Sequence, residues 1–144
     1  MGRGFTLIEA MVVLLIVSVL ASLAWPSYAG YLTRTRRMEG KVALVAAMLQ
    51  QEQYHATHHT YAAFSKAEPV DGLPWWSGSA AAASYYELDA EACPGSELRD
   101  CVRLRARPGT GNVDARFTDP ECGTLTLSSR GEQGASGQST RCWP

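Results

Sequence analysis

The chain has 144 residues, of which 46% are apolar, and a formal net charge of −1. This length allows one domain besides any membrane segment. Eight basic and eleven acidic residues follow Ala56, so the carboxy-terminal part is mildly acidic, which excludes a general polyanion-binding domain.

The first element is an apolar run from Phe5 to Trp25 with a single charge, Glu9. About 20 apolar residues are needed for a helix to cross a bilayer. A carboxylate inside such a helix costs roughly 2.5–3.5 kcal/mol on insertion scales, so its presence indicates a function. The run therefore predicts a membrane helix with a functional acid, and an ordinary signal anchor is the simpler alternative.

Two observations compete with this prediction. Residues 21–24 (Ala-Ser-Leu-Ala) resemble a signal-peptide cleavage site, but cleavage there would discard Glu9. Arg34, Arg36 and Arg37 follow the run, and the positive-inside rule alone would place them in the cytoplasm. The cysteines favour the opposite orientation, because disulfides form outside the cytoplasm.

The helix is expected to continue from about Phe5 to about His55, with a kink at Pro26, which lacks a backbone donor. Beyond Pro26 apolar residues recur at spacings of three and four, which predicts an amphipathic half that lies against the rest of the chain. The members of this seam are Tyr31, Thr35, Met38, Val42, Val45 and Leu49.

Glycine and proline interrupt the stretch from His58 to Ala83, which predicts a loop with at most one short helical turn. Trp75 and Trp76 stand out in it. We expect one or both to pin the loop onto the sheet or helix, and a contact with a neighbouring subunit is the alternative.

Three strands are predicted next, over residues 85–90, 101–107 and 123–129. The second alternates clearly and sets Arg103, Arg105 and Arg107 on one face. This arginine stripe could bind a nucleic acid backbone, but the acidic balance favours a solvated sheet face that deters strand aggregation. Apolar strand faces laid on the helix predict an α+β fold with a small antiparallel sheet.

The four cysteines Cys93, Cys101, Cys122 and Cys142 allow three pairings. A turn at residues 94–96 favours joining Cys93 to Cys101, which leaves Cys122 for Cys142.

The sequence gives little support for a metal site, a catalytic site or a cofactor site. The histidines His55, His58 and His59 lack carboxylate or cysteine partners at ligand spacing, so no metal site is expected. No nucleophile elbow, phosphate-binding glycine loop or paired carboxylates occur, so we expect neither an enzyme nor a cofactor.

A glycine-terminated leader (residues 1–4), then Phe5-Thr6-Leu7-Ile8-Glu9 and a long apolar helix, resembles the prepilin signature of type IV pilins. The ending from Asp119 to Leu125, with Cys142 near the terminus, looks like the disulfide loop of PilE-like minor pilins. The resemblance implies that a prepilin peptidase cuts between Gly4 and Phe5 and methylates Phe5. It also implies that Glu9 serves assembly.

The resemblance further implies three regions: a cleaved leader (1–4), a transmembrane and assembly half of the helix (5–28), and a periplasmic head (29–144). A subunit of this kind is held in the inner membrane by a single pass and then joins an extracellular filament. Its partners are other pilins, the peptidase and an inner-membrane assembly platform, in the service of motility, adhesion or DNA uptake.

Two alternatives stay open at this point. A type II secretion pseudopilin shares the amino-terminal signature, although the terminal disulfide loop argues against it. A membrane-anchored periplasmic adhesin or enzyme belongs to a different class, and would show binding or activity in the head alone.

The position of Gly4 directly before Phe5 gives a prediction about where the leader is cleaved from the chain. The mature chain should begin at N-methylated Phe5, so the intact mass of protein extracted from membranes and reduced should equal residues 5–144 with one N-methyl group. Loss of a longer peptide, ending near Ala24, would contradict the pilin interpretation.

Overall fold

The structure is a computed structural model that describes residues 6–143, and the side chains of residues 24–27 lie outside that description. The chain divides into two compact units, Met1–Thr35 and Arg36–Pro144, which are treated in turn. The elements are the helix α1 (Leu7–His58), a 3₁₀ turn (Ala81–Ala83), and the strands β1 (Tyr86–Ala92), β2 (Val102–Pro108), β3 (Leu125–Ser128) and β4 (Gln133–Ala135).

In the first unit, the part of α1 from Leu7 to Leu23 is apolar apart from Glu9 and is exposed on every side. Its exposed large side chains include Leu7 at 80%, Leu14 at 68% and Leu23 at 70%. The hydroxyls of Ser18 and Ser22 donate to helix carbonyls three residues earlier, so their hydrogen bonds are satisfied within the helix. This surface therefore suits lipid or other helices rather than water.

Within the described residues, no single helix meets the criteria of length and apolarity for a membrane span. A bent pair of helical segments, Leu7–Leu23 and Tyr28–His58, meets them together. The break between these segments falls on residues 24–27, so the role of Pro26 in the bend stays a prediction.

In the second unit, α1 buries a narrow face of mixed polarity. Leu44 and Ala47 are at most 2% exposed, and Arg37 and Gln51 are equally enclosed at 3% and 0%. The face follows the spacing 37, 40, 44, 47 and 51, which a helix places on one side. Gln51 donates to the Ala62 carbonyl at 2.7 Å and accepts from the Ala62 amide at 2.9 Å, so its burial is hydrogen-bonded.

The sequence-based prediction of the buried face was wrong. The apolar seam expected to lie against the rest of the chain is exposed, with Met38 at 52%, Val42 at 62% and Leu49 at 62%. The periodicity identified a real apolar face but not the side on which the head packs. The face of α1 that packs on the head is the one that carries Arg37, because the charge of Arg37 is paired there.

The sheet is antiparallel in the order β1-β2-β3-β4. The three predicted strands are present with ends shifted by one or two residues. The fourth, Gln133–Ala135, was missed because three residues that include a glycine carry no strand pattern. On β2, Val102, Leu104 and Ala106 are fully buried, as the alternation predicted.

Strand β1 is buried on both faces, which explains its imperfect alternation. The loop after α1 covers its outer edge: the Leu88 amide donates to the Trp75 carbonyl at 2.8 Å, and the Ala90 amide donates to the Phe64 carbonyl at 2.9 Å. The Trp75 side chain packs against the core. The expectation that this loop is pinned by its tryptophan segment is confirmed.

Gly40 gives a test of how α1 meets the sheet. A Cβ atom at Gly40 would lie 2.8 Å from Cδ2 of Tyr86, whose ring is fully buried. Gly40→Ala should therefore destabilise the head by about 1–3 kcal/mol despite the better helix propensity of alanine. Gly30→Ala is the matched control, because nothing lies within 4 Å of its Cβ position. Urea unfolding of the detergent-solubilised full chain, followed by near-UV circular dichroism, measures both; equal stability of the two variants would contradict the packing described.

Candidate functional site

The amino-terminal assembly residues are only partly described by the structure. Gly4 and Phe5, the predicted cleavage and methylation positions, lie outside the described residues. Glu9 is exposed in the first turns of α1, and its amide meets the Thr6 hydroxyl oxygen at 3.4 Å. The carboxylate thus lies at the amino-terminal end of the helix, where the macrodipole favours negative charge.

Within the second unit, a buried ion pair joins α1 to the segment that precedes β3. Nε and Nη2 of Arg37 each lie 2.7 Å from an oxygen of Asp119, and Nη2 also donates to Glu121 at 2.9 Å. The side chains of Arg37 and Asp119 are 4% and 0% exposed. A bidentate pair of this kind fixes the relative orientation of the guanidinium and the carboxylate as well as the distance between them.

Asp119 is ionised in spite of its burial. Desolvation opposes the charged form, but hydrogen bonds from Arg37, from the Tyr86 hydroxyl at 3.0 Å and from the Cys122 amide at 3.2 Å outweigh it. The pKa of Asp119 is therefore below its usual value. Burial, together with the adjacent Asp119 charge, raises the pKa of Tyr86, which keeps that hydroxyl protonated and donating.

The residues after Asp119 lead directly into the carboxy-terminal loop. The Gly123 amide donates to the Asp119 carbonyl at 2.7 Å, and Cys122 is bonded to Cys142. A second disulfide joins Cys93 to Cys101, with Cα atoms 5.4 Å apart. The structure thus has the two pairs favoured by the sequence.

The arginine stripe is not a free basic surface. Across the β1–β2 register, Arg103, Arg105 and Arg107 stand opposite Glu91, Asp89 and Glu87. The ion pairs include Arg105 Nε to Asp89 at 2.6 Å and Arg107 Nη2 to Glu87 at 3.1 Å, and Arg103 also pairs with Glu91. The predicted solvated face is therefore a cross-strand ladder of ion pairs, with Glu87 and Asp89 buried beneath it.

The histidines make local contacts at the carboxy-terminal end of α1. Nε2 of His55 lies 3.0 Å from the Arg99 carbonyl, and the His58 ring stacks on Tyr54 with centroids 3.9 Å apart. Among residues 6–143, no group of three or more potential ligands is placed to hold a metal ion.

Sequence reasoning missed Asp119 as the partner of Arg37, since the two are 82 residues apart. One feature of the sequence is compatible with this pair. An arginine lies within an amphipathic helix, and an acid close to a cysteine follows much later in the chain. This pattern allows a buried ion pair but does not specify its members.

Comparison with known proteins places the chain in a family. Residues 26–126 match the family model described as "Type IV minor pilin ComP, DNA uptake sequence receptor", and residues 2–25 match the prokaryotic N-terminal methylation motif. The first match covers most of the chain. The chain belongs to the type IV minor pilin ComP family, which confirms the pilin interpretation and is in keeping with a structural rather than a catalytic protein.

Curated relatives are similar over the amino-terminal part. The chain is 35% identical over 64 residues to the type IV major pilin protein PilA of Myxococcus xanthus, which is 44% of this chain and 29% of PilA. It is 50% identical over 38 residues to the type IV major fimbrial protein FimA of Dichelobacter nodosus, covering 26% of this chain and 24% of FimA. The chain thus matches less than a third of the length of either relative.

A solved structure shares the fold. The crystal structure of the non-core minor pilin PilV from Neisseria meningitidis superposes with a TM-score of 0.52 at 20% identity, covering 78% of this chain and 94% of PilV. This likeness confirms the predicted α+β fold, a long amino-terminal helix with an antiparallel sheet.

The buried pair predicts acid sensitivity. Because the pKa of Asp119 is depressed on folding, its contribution is present above the ordinary aspartate value of about 3.9 and is lost as pH falls through the lower folded value. Asp119→Asn should lower the free energy of unfolding by about 3–5 kcal/mol near neutral pH, since the buried Arg37 guanidinium then lacks the negative charge of the Asp119 carboxylate. The difference from the unchanged protein should shrink below about pH 4. Urea unfolding at several pH values measures this.

Glu97→Gln is the matched control, since Glu97 is an exposed acid of the same unit. It should leave both stability and its pH dependence unchanged. A stability difference for Asp119→Asn that stays constant down to pH 2 would contradict the assignment of Asp119 as a buried carboxylate.

Proposed function

We propose that the chain is a structural subunit of a type IV pilus, held in the inner membrane before assembly and in the extracellular filament afterwards. The observation that carries the proposal is the segment Leu7–Leu23, which is apolar apart from Glu9, is exposed on every side and overlaps the methylation motif at residues 2–25. Such a segment is stable in lipid or in a bundle of like helices. A filament core offers the second environment.

The proposal assigns three regions to the chain. Residues 1–4 are the leader removed by the prepilin peptidase, residues 5–28 form the transmembrane and assembly half, and residues 29–144 form the periplasmic head. Two disulfides in the head support an oxidising compartment. Gly4 and Phe5 are the cleavage pair, and Phe5 is the methylated residue.

Glu9 is proposed to align neighbouring subunits. An unpaired carboxylate in an apolar bundle carries a desolvation cost, and the methylated amine of Phe5 from an adjacent subunit carries the opposite charge. Placing the two together offsets both costs and fixes the stagger between helices.

The family description names a DNA uptake sequence receptor, and DNA is therefore a second partner to consider. We do not assign DNA to Arg103, Arg105 and Arg107, because all three arginines are already paired with carboxylates of β1. A phosphate would have to displace those partners. We propose instead that the ladder stabilises the β1–β2 pairing, whichever of motility, adhesion or DNA uptake the filament serves.

The alignment role of Glu9 can be tested in cells. Glu9→Gln and Glu9→Ala should reduce the amount of subunit in sheared pili about tenfold or more, because a two-charge contact in an apolar bundle is lost. The protein should remain in the inner membrane with both disulfides formed. Glu68→Gln, which alters an exposed acid of the head, is the control and should assemble normally. Normal amounts of Glu9→Ala in sheared pili would exclude this role.

A further inference from the structure

A cleft with aromatic and polar walls opens in the second unit, beside the loop that follows α1. It consists of two adjoining cavities of about 470 Å³ and 310 Å³, both of which are lined by Gln50 and by residues 71–73. Volumes of this size are typical of sites for small ligands, which run from roughly 300 to 1,000 Å³. We call this surface the Trp76 cleft. Its aromatic lining consists of Tyr54, His58, Trp75 and Trp76.

The tryptophan wall of the cleft is held in place by the sheet. The Trp75 carbonyl accepts from the Leu88 amide at 2.8 Å, and the Ser77 amide donates to the Tyr86 carbonyl at 3.1 Å. The backbone on both sides of Trp76 is therefore bonded to β1. The Trp75 ring packs against the core, and the Trp76 ring stands nearly perpendicular to it, with centroids 5.2 Å apart and an angle of 83°. A ring held in this way loses little conformational freedom when a ligand binds.

A second wall is the turn that contains Asp71, and it is fixed as well. The Leu73 amide donates to the Val70 carbonyl at 3.0 Å, and the Leu73 side chain is buried. Gly72 has a φ of +81°, a backbone conformation that glycine adopts without strain. The turn leaves Asp71 exposed where the two cavities adjoin. Its carboxylate is thus placed to accept hydrogen bonds from the hydroxyls of a ligand.

Gln50 has hydrogen-bonding capacity to offer a ligand. Among the residues that the structure describes, none donates to its side-chain oxygen Oε1, which is buried. A buried acceptor without a donor is unfavourable, and native structures contain few of them. The terminal torsion of a glutamine side chain is broad, so this amide can turn its oxygen towards a hydroxyl in the cleft.

The charge of the cleft argues against an anionic ligand. Its lining, which lies wholly within the described part of the chain, contains no lysine or arginine, and Asp71 adds a negative charge. Lys66 lies 5.4 Å from the Trp75 ring centroid, but it lines neither cavity. A phosphate, a sulfate or the carboxylate of a sialic acid would therefore meet a like charge without a cation in the cleft to pair with.

We infer that the Trp76 cleft binds a neutral saccharide, with a pyranose ring stacked on the Trp76 indole and its hydroxyls bonded to Asp71 and Gln50. A pyranose has an apolar face of C–H groups and a rim of hydroxyls, each of which both donates and accepts. Aromatic rings with a few fixed polar groups match such a ligand. The smaller cavity gives room for a further ring of an oligosaccharide. This inference goes beyond the role of a pilus subunit and does not depend on it.

The first experiment measures binding by the full chain in lauryldimethylamine oxide, a detergent without a sugar headgroup. The probes are maltohexaose, cellohexaose and chitohexaose, with dextran sulfate and a DNA duplex as anionic comparisons. At least one neutral probe should bind and change the tryptophan fluorescence. Trp76→Ala and Asp71→Ala should each weaken that binding about tenfold, because a stacking contact or a hydrogen bond to a charged group is lost. Trp76→Tyr should retain most of it.

Trp143→Ala is the matched control, since Trp143 is also half-buried but lies outside the cleft. It should bind the neutral probe as the unchanged protein does. Near-UV circular dichroism reports whether each variant is folded, and Asp71 is exposed, so its variant tests the cleft even where Trp76→Ala perturbs the head. The inference is overturned if no neutral probe binds, if the anionic probes bind more tightly, or if Trp143→Ala loses as much binding as Asp71→Ala.

A second experiment separates two sources of the saccharide. Sheared filaments are tested for binding to beads that carry the best neutral probe, before and after the filaments are treated with glycosidases. Binding before treatment indicates a saccharide outside the filament, and binding only after treatment indicates that a glycan of the filament itself occupies the cleft. Binding in neither state, or equal binding by filaments that carry Trp76→Ala, would overturn the inference. If the chain is missing from filaments, the proposed function fails while the first experiment still decides the inference.

Discussion

The head depends on the burial of one positive charge. Arg37 lies on the inner face of α1, and a guanidinium at 3% exposure is stable only with an ionised partner in fixed geometry. Asp119 supplies that partner, and Tyr86 and the Cys122 amide hold Asp119 in turn. These contacts tie the helix, the first strand and the carboxy-terminal loop to one point. The rotation of α1 about its own axis follows from this constraint, because any other face would leave Arg37 outside and Asp119 buried alone.

The same constraint explains why the stronger apolar seam of α1 faces outward. The inner face contains Leu44 together with a glycine, an alanine, a glutamine and an arginine, and apart from Leu44 these side chains are either small or hydrogen-bonded. Gly40 lets the Tyr86 ring approach the helix backbone, and Gln51 satisfies both backbone groups of Ala62. The apolar residues are thereby released from the monomer core. The helix therefore buries Arg37 and Gln51 beside Leu44 and Ala47, and leaves its larger apolar seam on the surface of the subunit.

Local patterns predicted the elements of this fold and failed on their orientation. The length of α1, the alternation of β2 and the turn between Cys93 and Cys101 are all readable from neighbouring residues. The side of α1 that packs on the sheet depends on Asp119, 82 residues away, and no helical period reveals that. The arginines of β2 were recognised as one face, but their pairing depends on the register of β1, which is set only when the two strands meet. The position of the Trp143 ring likewise depends on β4, since its indole donates to the Gly134 carbonyl, and β4 is a strand too short to leave a pattern.

The ladder between β1 and β2 has a consequence for how the oxidised head is reached. Arg103, Arg105 and Arg107 match their three acids in one alignment only, since a slip of two residues leaves an arginine and a carboxylate without partners. The same slip would carry Cys93 and Cys101 out of reach, because cysteines whose Cα atoms are more than about 7 Å apart do not bond without backbone movement. Formation of this bond therefore reports that the hairpin is correctly aligned. The Cys93–Cys101 bond and the ladder of ion pairs thus require the same alignment of the two strands, so each stabilises the register that the other needs.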